Sequence, residues 1–240
     1  MNAAEMLILL GKKKKAAAFN PLSIAGMIGW YDFSDASTLK QASGGAAVAA
    51  DGDPIGYVQD KSGAGHHYVQ STSAKKPTWK QNIQNGLSVA RLDGVDDQWK
   101  LDPWSGLTAP VTFIAVASRI TTSGVGALWG ALPTARFDNA GRLSLNGGTF
   151  MQTATGVYAA NTKYILSFVF NGGSSAIYLN GVSKISGAGG STTVTFTALG
   201  SAYDANYLAG DLCEVYIYNS LSDANRQACE AGLNTKWAVA

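Results

Sequence analysis

The chain has little charge. Asp, Glu, Lys and Arg make up 14% of its 240 residues, against about a quarter in an ordinary globular protein. Four of its 18 basic residues and one of its 16 acidic residues lie in residues 1–15, which leaves 14 basic and 15 acidic residues in the rest. That remainder has no basic excess for binding a polyanion, and the lysines of residues 1–15 have no arginine or aromatic residue among them. A specific nucleic-acid partner is therefore not expected.

Cysteine and histidine are also scarce. The only cysteines, Cys213 and Cys229, lie in apolar patterns typical of a strand and a helix, and no CxxC spacing occurs. We expect both to be buried thiols, with a disulfide between them as the alternative. The only histidines, His66 and His67, are adjacent in a Gly-rich loop. Because adjacent side chains diverge, they are expected to be surface residues and not a metal or catalytic pair.

Long apolar runs are absent as well, and a membrane span needs about 20 such residues. An export signal places positive charge before its apolar run. The N-terminal segment reverses that order, with apolar Met6, Leu7, Ile8, Leu9 and Leu10 followed by Lys12, Lys13, Lys14 and Lys15. We therefore expect no membrane insertion and interpret residues 1–18 as an arm that docks on a neighbouring subunit. A solvated tail is the alternative.

Glycine is plentiful, with 28 residues, and the rest of the chain reads as short strands joined by turns. Residues 111–117 are apolar throughout, and residues 164–170, 193–198 and 212–218 alternate. The dipeptides Asn171-Gly172 and Asn180-Gly181 predict hairpin turns. No linker or repeat interrupts the pattern, so the sequence predicts one β-domain over residues 19–240, a sandwich or a barrel.

One helix is predicted, at the C-terminus. Ser222 is a suitable N-cap, and Cys229, Leu233 and Trp237 recur at i, i+4 and i+8. This apolar stripe should pack across the sandwich.

Several motifs taken together resemble one family. They are GWYDFSD at residues 29–35, VQDKSG at 58–63, KPTW at 76–79, NGLSVARLDG at 85–94, AIYLNG at 176–181, LAGDLCEVYIYN at 208–219 and LSDANR at 221–226. The pattern is similar to the concanavalin A-like lectin/glucanase superfamily, in the laminin G-like branch common in bacterial surface proteins and bacteriophage structural proteins. The resemblance spans roughly residues 22–238. It implies an all-β, two-sheet antiparallel jelly-roll sandwich but fixes no function, because this fold hosts lectins, hydrolases and interaction domains.

Hydrolysis is not expected. A glycosidase needs two carboxylates flanking the scissile bond. Asp211 and Glu214 are the only acidic pair on a predicted strand, and a spacing of three places them on opposite faces. We therefore predict a protein that is not an enzyme and has no cofactor.

Calcium is the one metal that the resemblance brings into consideration. Asp204 and Asn206 offer oxygen ligands in a loop, and Asp96 and Asp97 form a second cluster. The favoured alternative is that these residues shape Asx turns.

Carbohydrate is the candidate ligand, since sugars stack on aromatic rings near amides. Trp99, Trp104 and Trp129 lie near loops or strand ends, with Asn146 and Gln152 further along the chain. A place in the core or an interface is the open alternative for each tryptophan.

These features predict a bacteriophage virion structural protein, as a capsid decoration, head fibre or tail-associated component. The arm would dock it on other virion proteins during assembly in the host cytoplasm, and the lectin-like domain would bind host-surface glycans weakly. Assembly as a homo-oligomer is expected. The alternative is a secreted bacterial carbohydrate-binding module, which the reversed order of the N-terminal segment disfavours.

Overall fold

A computed structural model of the chain describes residues 19–101, 104, 107–130, 132–193 and 197–239. The predicted arm and its apolar and basic side chains lie outside these residues. The described strands are β1 Met27–Asp32, β2 Leu39–Lys40, β3 Tyr57–Val58, β4 Tyr68–Val69, β5 Thr78–Gln84, β6 Leu87–Asp93, β7 Trp99–Leu101, β8 Val111–Arg119, β9 Gly126–Gly130, β10 Thr134–Asp138, β11 Arg142–Asn146, β12 Phe150–Gln152, β13 Lys163–Phe170, β14 Ser175–Leu179, β15 Val182–Gly187, β16 Thr197–Leu199 and β17 Ala209–Tyr218. One helix, α1, spans Asp223–Trp237.

The strands form two antiparallel sheets, which confirms the predicted all-β sandwich. In the described residues, one sheet has eight strands in the order β15-β14-β13-β8-β17-β6-β5, with β1 also paired to β17. The other has nine, in the order β12-β11-β10-β9-β16-β7-β4-β3-β2. We call them the helix-covered sheet and the open sheet. Apolar side chains from both meet between them, as where Phe113 stacks on Trp129 with ring centroids 5.4 Å apart.

Helix α1 packs on the outer face of the helix-covered sheet. Its predicted stripe of Cys229, Leu233 and Trp237 is fully buried, in a second apolar cluster with Ile114 and Val116 of β8. The Ser222 side chain accepts a hydrogen bond from the Asn225 amide, as an N-cap should. Both cysteines are buried and free, so the structure has no disulfide between them.

Most predicted strands and turns are confirmed. β8 is buried along its whole length, and β13 directs Leu166, Phe168 and Phe170 into the core between the sheets. Asn180 and Gly181 both have positive φ in the tight turn between β14 and β15.

The prediction for residues 193–198 is wrong at its described end. The alternation of Thr193, Thr195 and Thr197 with apolar residues predicts a strand with its threonine face in water. Thr197 is instead buried, and its hydroxyl lies 2.6 Å from the hydroxyl of the core residue Tyr68. Residues 194–196 lie outside the described residues.

Strand β17 changes partner half-way along. Its residues 209–212 pair with β6 and its residues 214–218 with β1, while β8 lies along its other edge. The register against β8 shifts between Leu212 and Glu214, which makes Cys213 the extra residue of a β-bulge. Among the described residues, no helix combines the length and apolar character needed to cross a bilayer.

Candidate functional site

The three tryptophans predicted as a sugar platform are core residues. The exposed fraction of the residue is 0% for Trp99, 2% for Trp104 and 0% for Trp129. Two of the indole N–H groups donate inside the protein, from Trp99 to the Ile55 carbonyl oxygen and from Trp129 to the Tyr68 hydroxyl. None of these rings presents a face on which a sugar could stack, so the platform prediction is wrong and the core alternative holds.

Asn146, the polar residue predicted with them, lies on the outer face of the open sheet. It is half-buried at the end of β11, opposite Phe150 of β12. Its side-chain oxygen accepts a hydrogen bond from the Gly148 amide. Asn146 is therefore separated from the tryptophans by the thickness of the sheet.

The adjacent histidines are structural residues and not surface decoration. Both are half-buried. The His66 ring stacks on Trp104 with centroids 4.2 Å apart, and its Nδ1 lies 2.8 Å from the Ile28 carbonyl oxygen. Nδ1 of His67 accepts the amide of Asp60 at 3.0 Å. The prediction that they form no chelating pair is consistent with these separate partners.

Asp211 and Glu214 lie on the same face of β17, contrary to the prediction from their spacing. The bulge at Cys213 adds one residue, so both carboxylates point to the α1 side. Each carboxylate accepts hydrogen bonds from basic side chains, and Glu214 also accepts from two indole N–H groups. Asp211 accepts from Arg91 at 2.8 Å and from Lys163 at 3.0 Å. Glu214 is 1% exposed and accepts Lys236 Nζ at 2.8 Å.

Three carboxylates lie close together at the end of β6. Oxygen atoms of Asp93, Asp96 and Asp97 are all within 4.8 Å of one another. Asp93 Oδ1, however, accepts the amides of Val95, Asp96 and Asp97, which is the Asx-turn pattern. Burial, reinforced by its two acidic neighbours, raises the pKa of Asp97 to about 6.

A cleft of about 420 Å³ lies on the outer face of the open sheet. Strands β4 and β7 form its floor, and the loop of residues 201–207 forms one wall. The cleft is lined by His67, Val69, Gln70, Ser71, Thr72, Lys75, Gln98, Lys100, Leu101, Tyr203 and Asp204. Its size is in the range of small-molecule sites.

A hydrogen-bonded group organises the cleft around Asp204. Lys100 Nζ lies 2.5 Å from one carboxylate oxygen, and Gln98 Nε2 donates to the other at 2.6 Å. The bond from Lys100 is the main reason that the pKa of Asp204 is held below its ordinary value. The Gln98 oxygen accepts from the Ser201 hydroxyl at 2.6 Å, which ties the loop to β7. Asp204 is thus ionised and fixed in place at neutral pH.

This arrangement does not favour calcium at Asp204 and Asn206. An ammonium already occupies the carboxylate of Asp204, and Asn206 contributes its backbone oxygen to the Ala127 amide at 2.7 Å. A calcium site there stays a prediction from the sequence.

Tyr203 presents the aromatic ring of the cleft. It is half-buried, and Lys100 Nζ lies 4.4 Å from the ring centroid. Tyr203, Asp204 and Asn206 all have positive φ, between 52° and 68°. Such a conformation is uncommon for non-glycine residues and rare for an aromatic one, and it is maintained here by the bonds to Gln98. The loop therefore places the Tyr203 ring beside Lys100 of β7.

Tyr203, Lys100 and Gln98 were missed by the sequence analysis. The sequence points to Asp204 and Asn206 in this loop as metal ligands, and of these two Asp204 lines the cleft. The signal was the local sequence SAYDANY at residues 201–207, where an aromatic residue adjoins turn-forming Asp and Asn. Its pairing with β7, about a hundred residues earlier, could not be read from that segment alone.

No protein-family model and no curated protein matches the chain. Solved structures do match its fold. Domain 4 of AbnA, a GH43 extracellular arabinanase from Geobacillus stearothermophilus solved with arabinotriose, matches with a TM-score of 0.55 and 14% identity, over 83% of this chain and 96% of that domain. The sialidase of Trypanosoma rangeli, solved with the inhibitor DANA, matches with a TM-score of 0.51 and 11% identity, over 90% of this chain and 34% of that one.

This chain thus spans about a third of the length of the sialidase. At these identities the similarity shows the fold alone. The fold is a β-sandwich that also occurs in carbohydrate-active proteins, consistent with a lectin-like jelly roll.

Proposed function

We propose that this chain is a non-catalytic carbohydrate-binding domain and that the cleft beside Tyr203 holds the saccharide. The observation that carries the proposal is the combination of an aromatic ring with an amide, an ammonium and a carboxylate in a single concavity. A sugar ring offers an apolar C–H face and hydroxyl groups. Tyr203 provides the surface for the former, and Lys100, Asp204 and Lys75 provide charged partners for the latter.

The absence of catalysis is proposed from the lining of the cleft. Among the described residues that line it, Asp204 is the one with a carboxyl group. Glycoside hydrolysis requires two such groups about 5–10 Å apart. Asp211 and Glu214 do not supply the second, because they are held on the opposite sheet by Arg91, Lys163 and Lys236.

The structural neighbours support a carbohydrate ligand. The arabinanase domain was solved with arabinotriose, and it matches this chain over nearly its whole length. We propose the same broad ligand class for the present chain and leave the individual sugar to experiment.

The test is a glycan array followed by titration calorimetry on the full chain. We expect weak binding to one group of glycans, and Tyr203→Ala should weaken it about tenfold, the equivalent of about 1.4 kcal/mol. Tyr203→Phe keeps the ring and should bind within about twofold of the parent chain. Val95→Ala, at a side chain 71% exposed and outside the cleft, is the control for non-specific effects.

Two results would contradict the proposal. One is an array without any bound glycan at high protein density. The other is a glycan whose affinity is unchanged by Tyr203→Ala.

We further propose that the domain is displayed on a bacteriophage virion through residues 1–18, where repetition on the particle would raise the avidity of weak glycan binding. The support for this is the apolar-then-basic order of the arm and the resemblance of the motifs to laminin G-like virion domains. A secreted bacterial carbohydrate-binding module remains the alternative. Such a module would use the same cleft, so the virion protein and the secreted module differ in what residues 1–18 bind.

A further inference from the structure

A second polar surface lies at the other end of the open sheet, on the same outer face as the cleft. It consists of Arg136 on β10, Arg142 and Asn146 on β11, and Phe150 and Gln152 on β12, and we call it the arginine patch. The strand register brings these side chains together, because Arg136 lies opposite Ser144, Ser144 opposite Gln152, and Asn146 opposite Phe150. Strands β9 and β16 separate the patch from β7, a distance of about 14 Å across the sheet.

A buried carboxylate organises the patch from below. Asp138 is 6% exposed, and its Oδ2 accepts from the Ser144 hydroxyl and from Gln152 Nε2, each at 2.9 Å. Those two residues in turn accept from the guanidinium groups. Arg136 Nε donates to Ser144 Oγ, and Arg142 Nη1 donates to Gln152 Oε1, each at 3.2 Å. Asp138 therefore positions Arg136 through Ser144 and Arg142 through Gln152.

Both guanidinium groups keep most of their donors. Arg136 uses Nε and Arg142 uses Nη1, so the other N–H groups have no acceptor among the described residues. Two cations share one buried anion, so the patch has a local positive charge in a chain whose body is otherwise nearly neutral. A planar guanidinium with free N–H groups binds a carboxylate with two parallel hydrogen bonds.

An exposed aromatic ring completes the patch. Phe150 is 51% exposed, and the Arg136 guanidinium carbon lies 5.2 Å from its ring centroid. Asn146 adjoins the ring, and because its oxygen is used by Gly148, its amide N–H₂ group is left as a donor. An apolar surface, a carboxylate-binding group and an amide donor are thus neighbours on one face.

We propose that the arginine patch is a second saccharide site, selective for sugars that carry a carboxylate, such as uronic acids. The carboxylate would bind the free N–H groups of Arg136 and Arg142, the C–H face of the ring would lie on Phe150, and Asn146 would donate to a hydroxyl. This site is separate from the cleft, because β9 and β16 lie between the patch and β7.

The test uses the full chain and two forms of one probe, tetragalacturonate and its fully methyl-esterified derivative. Calorimetric titration should show the acid form binding at least tenfold more tightly than the ester. Arg136→Ala and Phe150→Ala should each weaken binding of the acid about tenfold. Arg136→Lys should also weaken it, because lysine keeps the positive charge but lacks the planar guanidinium that makes two parallel hydrogen bonds to a carboxylate. Lys184→Ala removes an exposed charge from β15 of the other sheet and should leave binding unchanged.

The outcomes distinguish this site from the cleft. Loss of tetragalacturonate binding in Tyr203→Ala but not in Arg136→Ala would place the acid in the cleft and overturn the second site, while leaving the proposed function intact. Equal affinity for acid and ester, or no binding of the acid at millimolar concentration, would also overturn it. If Arg136→Ala weakens binding of the acid while Tyr203→Ala changes the binding of no glycan, the second site is supported and the cleft is not a saccharide site.

Discussion

At the scale of single residues, Asp97 is a buried carboxyl group whose ionised form destabilises the folded state. It is 6% exposed and lies beside Asp93 and Asp96, and its pKa is raised to about 6. The unfolded chain releases this proton near pH 4, so between pH 4 and 6 the folded state binds more protons than the unfolded state. Stability due to this group is therefore greatest below pH 4, falls as the pH rises to about 6, and is constant above that.

We expect Asp97→Asn to raise the free energy of unfolding at pH 7 by about 1–2 kcal/mol and to have no such effect at pH 3.5. The amide oxygen can still accept from the Asp93 backbone N–H, but the buried charge is gone. Urea denaturation of both proteins at half-unit steps between pH 3.5 and 7.5 measures the difference. A difference that does not change with pH would contradict the assignment.

Asp204→Asn is the matched control, because the pKa of Asp204 is shifted in the opposite direction. Its carboxylate is stabilised chiefly by Lys100, so the folded pKa lies below the unfolded one. The contribution of Asp204 to stability is present above the unfolded pKa and is lost as the pH falls through the folded one. The Asn variant should therefore be less stable than the parent at pH 7 and equal to it in acid.

The role of each tryptophan could not be predicted from residue type. In β9, Trp129 pairs with Ala135 and Ala127 pairs with Arg136, so Leu128 is an extra residue in a bulge. The bulge lets both Leu128 and Trp129 face the core, which simple alternation forbids. Alternation in the sequence does not indicate where a bulge adds one residue, and that added residue decides which side of the sheet an aromatic ring faces.

At the scale of elements, helix α1 is fixed to the sheet by one buried carboxylate. Glu214 on β17 accepts the indole N–H groups of Trp30 and Trp237, each at 2.8 Å, together with the Tyr216 hydroxyl and Lys236 Nζ. Lys236 also reaches Asp32 of β1 at 2.8 Å. Strand β1, strand β17 and the last turn of the helix therefore meet at a single hydrogen-bonded group.

We expect Glu214→Gln to lower the free energy of unfolding by about 3 kcal/mol. Glutamine has one acceptor oxygen for four donors, and its N–H₂ group would face other donors in a site that excludes water. Asp51→Asn, which removes one partner of an exposed ion pair with Lys80, should have a much smaller effect. Urea denaturation at pH 7 compares the two, and similar small losses would show that Glu214 does not fix the helix.

The helix itself was predictable, and its attachment was not. The stripe of Cys229, Leu233 and Trp237 and the cap at Ser222 are local signals, and both are confirmed. The attachment depends on the bulge at Cys213, which places Asp211 and Glu214 on one face of β17. Since the bulge arises where β17 changes partner from β6 to β1, it is a property of the assembled sheet.

At the scale of the whole molecule, the two sheets have different outer faces. The outer face of one is occupied by α1 and its apolar cluster, and that of the other bears the cleft and the arginine patch. The sandwich could be predicted because turn residues and alternation recur along the chain. The cleft could not, because it joins segments about a hundred residues apart, as Lys100 with Asp204. The arginine patch could not, because its side chains meet only through the register of β10, β11 and β12.

The proposed arm gives the molecule a second functional end, and deletion of residues 1–18 tests it. We expect the truncated chain to remain folded and soluble, with unchanged glycan binding, because the cleft, the patch and both apolar clusters lie within the described residues. It should no longer join virions, since the apolar run would supply the buried contact and the four lysines would match an acidic shell surface. Co-sedimentation with assembled particles measures incorporation.

The control is the full-length chain with Lys12, Lys13, Lys14 and Lys15 replaced by Ala, which should show intermediate and less salt-sensitive incorporation. Normal incorporation of the truncated chain would show that the arm has no role in docking.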